Sequence, residues 1–67
     1  MKTTVKLDAM TALVVEPDGA RVALSITVGA IQVQRKALTL DQSGAILFAI
    51  EQAAEIAQRN AEAAAAQ

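Results

Sequence analysis

Apolar and polar side chains alternate along the first half of the chain, and the period changes near residue 38. Between residues 3 and 16 the odd positions Val5, Leu7, Ala9, Leu13 and Val15 are apolar, while Thr4, Lys6, Asp8 and Glu16 hold even ones. A period of two belongs to a strand with one buried face, here with a bend near Met10 and Thr11. The segment EPDGA interrupts it, since Pro17 presets one turn dihedral and Gly19 supplies a positive one. A second strand, RVALSITV, places Val22, Leu24, Ile26 and Val28 on one face. Gly29 and Ala30 fit a two-residue hairpin turn with glycine first. IQVQRKA follows as a third strand, with Ile31 and Val33 on the same face.

The turns imply a register. A four-residue PDGA loop pairs Val15 with Val22 and Leu13 with Leu24, and the glycine-first turn pairs Val28 with Ile31 and Ile26 with Val33. Both pairings keep apolar residues on one side, as a stable sheet requires. The other side carries Met10, Ala12, Val14, Ala23, Ser25, Thr27, Gln32, Gln34 and Lys36, and is mostly small and polar.

Beyond residue 38 the period becomes helical. Thr39 is a good N-cap, Gln42 completes a capping box three residues on, and Asp41 suits the positive end of the helix dipole. The pattern predicts a helix over 39–62 and a frayed tail over 63–67. The fold class is α+β, in one domain over 1–67. A three-stranded antiparallel meander (3–37) leads into one long C-terminal helix packed on one sheet face, βββα.

At about 100° per residue, Glu51, Glu55, Gln58, Arg59 and Glu62 share a polar arc. Ile46, Ala49, Ile50, Ala53, Ala54, Ile56, Ala57 and Ala61 spread over roughly 200°, wider than a small sheet covers. The uncovered part is small and alanine-rich, which predicts a homodimer. Phe48, the chain's single aromatic residue, falls on the polar arc above Gly44, because helical side chains lean towards the preceding turn. Gly44, Ala45, Phe48, Ala49 and Ile56 are therefore the candidate dimer or partner interface.

Composition sharpens this picture. At 67 residues the chain lies near the lower limit for a self-sufficient core. It has neither cysteine nor histidine, so disulfides, thiolate chemistry and the usual zinc sites are excluded, and association is the remaining source of buried area. The start, MKTTVKLDAM, lacks the apolar run of a signal peptide, and no stretch approaches the length of a membrane span. A cytoplasmic location is expected. No metal or cofactor is expected either.

The sequence offers little for catalysis. Glu51 and Glu55 are one turn apart on a solvated helix face, the serines have no base to activate them, and no glycine-rich phosphate loop occurs. Charge is uneven but mild. Residues 1–40 carry five basic and three acidic groups, net +2, whereas residues 41–67 carry one basic and four acidic groups, net −3. Lys6, Arg21, Gln32, Gln34 and Lys36 form a candidate nucleic-acid contact on the polar sheet face. With so few cations and no aromatic residue to stack on a base, such binding would be weak and salt-sensitive.

The run RKALTLDQSGAILFAI, a basic strand leading through Lys36 and Thr39 into a capped helix, resembles the transcriptional positive-cofactor (Whirly-like) family of single-stranded-DNA-binding proteins over residues 21–57. The resemblance implies a dimer formed through the C-terminal helix and a sheet that contacts single-stranded DNA. The residues themselves point first to a small, non-enzymatic, homodimeric protein-interaction or regulatory protein of bacterial or phage type. Weak single-stranded nucleic-acid binding through the polar sheet face is the alternative.

Overall fold

A computed structural model describes residues 1–66. It contains β1 (Thr3–Lys6), β2 (Thr11–Asp18), β3 (Arg21–Val28), β4 (Ile31–Leu38) and α1 (Leu40–Ala65). The strands form one antiparallel sheet in the order β1-β2-β3-β4. The α+β class holds, but the sheet has four strands rather than three. The expected bend at Met10 and Thr11 is a full reversal. The Asp8 carboxylate accepts from the N–H groups of Met10 (2.9 Å) and Thr11 (2.7 Å), and the N–H groups of Leu7 and Asp8 donate to the Thr11 carbonyl. An aspartate holding its own backbone in this way makes a turn without glycine or proline. It folds β1 back so that Val5 opposes Leu13 and Thr3 opposes Val15.

The β2–β3 connection is tighter than the expected four-residue loop. Gly19, at φ 60°, and Ala20 form a two-residue turn, so Val15 opposes Leu24 and Leu13 opposes Ile26. A shift of two residues leaves every side chain on its expected face. Pro17 lies inside β2, opposite Val22. In a two-residue hairpin the flanking pair shares the hydrogen bonds, and the next pair points its N–H groups outward. A proline there sacrifices no bond to β3. β1 pairs with β2 only as far as Val15, where an outward N–H at position 17 is not needed. The second turn matches expectation, with Gly29 at φ 62° and Val28 opposite Ile31.

β4 departs from simple alternation. Thr27 opposes Gln32 and Ile26 opposes Gln34, which leaves Val33 as the extra residue of a bulge. The expected pairing of Ile26 with Val33 is thus replaced. From Gln34 onward the faces exchange. Gln34, Lys36 and Leu38 join Ile26, Leu24 and Val22, while Arg35 and Ala37 turn to the opposite side. The exchange buries Leu38 to 8% exposure and brings Arg35 Nη2 within 3.2 Å of Asp18 Oδ2.

The helix starts as expected. Thr39 Oγ1 accepts from the Gln42 N–H (3.1 Å), and Gln42 Oε1 accepts from the Thr39 N–H (3.0 Å). It continues past residue 62 to Ala65, with Ala66 as C-cap, so the expected frayed segment is helical over 63–65 and Gln67 lies outside the described residues. The helix does not lie down on a sheet face. Its main contacts are with β3 and β4, and none of its described residues is buried. Ser43, in the second turn, is half-buried, and the other described helical residues are exposed.

The interior is correspondingly small. Among the described residues only Ala23, Leu38 and Ser25 are buried. The radius of gyration is 15.0 Å, against about 11 Å for a compact chain of this length.

Candidate functional site

Residues directly opposite each other in an antiparallel sheet share a face, so the register assigns every strand side chain. One face carries Val5, Leu13, Val15, Val22, Leu24, Ile26, Val28 and Leu38. Thr3 and Thr11 also lie on this face, which is otherwise apolar on β1, β2 and β3, and Val5, Ile26 and Val28 remain exposed on it. Ile31 continues this face at the end of β4, at 70% exposure. Gln34 and Lys36 form its polar margin.

The opposite face is built around an ion pair. Arg35, level with Ser25, reaches across β3 to Asp18, level with Arg21, and the two side chains flank Ala23. Ala23 is fully buried and Ser25 nearly so. A pair this solvated contributes little Coulomb energy. Near the other end of this face the β1–β2 turn borders a shallow hollow of about 220 Å³, lined by Thr4, Lys6, Asp8, Ala9, Met10, Thr11, Ala12 and Gly29. Asp8 holds the turn there through Oδ1. The N–H groups of Met10 and Thr11 hold its carboxyl below the usual carboxylate range.

The candidate nucleic-acid residues do not form one surface. Lys6, Arg21 and Gln32 share the face of the ion pair, whereas the bulge carries Gln34 and Lys36 to the apolar face. Glu16 and Asp18 stand among the first group and Arg35 is neutralised by Asp18, so little net positive charge remains. The placement expected for Gln34 and Lys36 is therefore corrected. The bulge was missed because the alternation was carried straight through Val33.

On the helix, Phe48 is 60% exposed on the arc of Glu51 and Glu55. Arg59 Nη2 pairs with Glu55 Oε1 at 2.6 Å on that arc. A methyl group placed at Gly44 would meet nothing within 4 Å, so Phe48 does not cover Gly44 as the wheel suggested. Ala45, Ala49 and Ile56 form a line beside Phe48, all exposed. Further round lies the stripe that starts at Ser43 and Ile46. Ile46, at 39%, is the least exposed of the large apolar residues on the helix, whereas Ile50 is 59% exposed.

The described residues hold no cluster of metal-ligating side chains, and no described helix is long and apolar enough to cross a membrane. What the surface offers is contact area: an apolar sheet face and an apolar helix stripe, both open. No family model, curated protein or solved structure matches the chain.

Proposed function

We propose that this chain is a small, non-enzymatic, homodimeric protein-interaction protein with a regulatory role. The observation that carries the reading is the amount of surface left open. The accessible area is 5353 Å², whereas a compact globule of 6.9 kDa exposes about 4,000 Å². Leu7, Met10, Ile31, Leu47, Phe48, Ile50 and Ile56 are all more than half exposed. Isolated apolar residues on a surface need no explanation, but an open sheet face together with an open helix mark an interaction surface.

Ala45, Phe48, Ala49 and Ile56 supply part of that surface. Small residues on the Ala45 and Ala49 line let another helix approach closely, and Phe48 provides one bulky anchor. The direct test is the native mass by sedimentation equilibrium across a range of concentrations. A species of twice 6.9 kDa is expected. A monomer at every concentration would overturn the reading.

A further inference from the structure

We infer that a second copy of this chain covers the apolar sheet face, and that the covering element is its helix, so that two protomers exchange α1 reciprocally. The inference rests on the homodimer reading above and specifies its surfaces. Three observations carry it. First, the helix begins on its own sheet and then leaves it. Ser43 is half-buried, and along the same stripe the exposure rises from 39% at Ile46 to 59% at Ile50, with Ala53 and Ala57 exposed. The stripe is continuous and apolar beyond Ser43, so its remainder suits an apolar surface. Each chain also leaves apolar residues exposed on one sheet face, Val5, Ile26 and Val28 among them.

Second, the area fits. Each protomer exposes roughly 1,350 Å² beyond a compact globule. Two such excesses give about 2,700 Å², within the range of obligate homodimers.

Third, the sheet edges are unsuited to pairing. β4 is broken by the Val33 bulge and carries Arg35 and Lys36, and β1 is four residues long with Lys2 and Lys6 at its ends. Bulges, short strands and lysines are the devices that block edge-to-edge association. The face is what remains.

The absence of cysteine makes the test clean, because a chain given one cysteine can form a disulfide only with another chain. Leu24→Cys and Val15→Cys report on the sheet face, Ile50→Cys and Ala57→Cys on the helix stripe, and Val33→Cys on the β4 edge. Each sheet variant is unfolded, mixed with each helix variant, refolded and oxidised, and covalent dimers are read on a non-reducing gel with circular dichroism as the folding control. A mixed sheet–helix disulfide is expected in at least one of the four mixtures, at several times the yield of Val33→Cys with itself. A dimeric mass with no sheet–helix bridge in any mixture, or with bridging through Val33→Cys instead, overturns the exchange while leaving the homodimer. A monomeric mass for the unmodified chain overturns both.

Discussion

Gly44 sits in the helix with no steric reason to be glycine. Its backbone is helical, and an added methyl group meets open space. Glycine in a helix costs up to about 1 kcal/mol relative to alanine, so Gly44→Ala is expected to raise stability by about 0.5–1 kcal/mol in urea titration. The same substitution at Gly19 is expected to lower stability by about 1–2 kcal/mol, because an alanine there is forced to positive φ. Gly44→Ala also bears on the interface. An unchanged native mass is expected, since Gly44 lies on the glutamate arc away from the Ile46 stripe, and a loss of dimer would put the glycine inside the contact.

Asp8 gives a pH dependence. Its carboxyl titrates below the usual range because the N–H groups of Met10 and Thr11 hold the charged form. A depressed folded-state value means that the stabilisation is complete above about pH 4 and is lost as pH falls through the lower folded value. The urea midpoint of the native chain should therefore fall between pH 4 and pH 2.5 by more than that of Asp8→Asn, whose side-chain amide oxygen keeps the turn without the charge. Parallel slopes for the two proteins would contradict this.

At the level of elements, the β4 bulge is a one-residue excess that can be removed on paper without disturbing anything else. Deleting Val33 leaves Gln32 opposite Thr27 and Gln34 opposite Ile26, with Leu38 still buried and Arg35 still facing Asp18. The deletion is expected to preserve the fold and to change stability by about 1 kcal/mol or less, as for other changes at exposed positions. A larger loss would show that the bend itself is required. Much of this architecture was legible in the sequence. The Gly29 turn, the Thr39–Gln42 capping box and the α+β class were each announced by local chemistry that acts over a few residues. The β1–β2 reversal was hidden because the alternation runs unbroken through Leu7 and Ala9, and the one sign was an aspartate able to bond its own backbone. The bulge did leave a trace. Apolar positions in β4 move from odd, at Ile31 and Val33, to even, at Leu38, and only an extra residue reconciles them. The scattering of Lys6, Arg21, Gln32, Gln34 and Lys36 follows from that single residue, so the nucleic-acid cluster could be no more reliable than the register beneath it.

For the molecule as a whole, Ala23, Leu38 and Ser25 are a very small interior for a chain that orders four strands and a 26-residue helix. Ordering the backbone costs about 1–2 kcal/mol per residue, and burial on this scale does not offset it. In the proposed homodimer association supplies the remainder, so the melting temperature is expected to rise with protein concentration. Over a hundredfold range, scanning calorimetry or circular dichroism should show an increase of several degrees, and a concentration-independent midpoint would point to a self-sufficient monomer. The small interior also bears on the life of the protein in a cell. Under the proposed homodimer, folding and encounter would be one second-order event, and a chain made at low copy number would wait, open to proteases, until it met another. Its working form would then accumulate with roughly the square of its synthesis rate at low levels. A modest change in expression would become a steep change in the amount of functional protein.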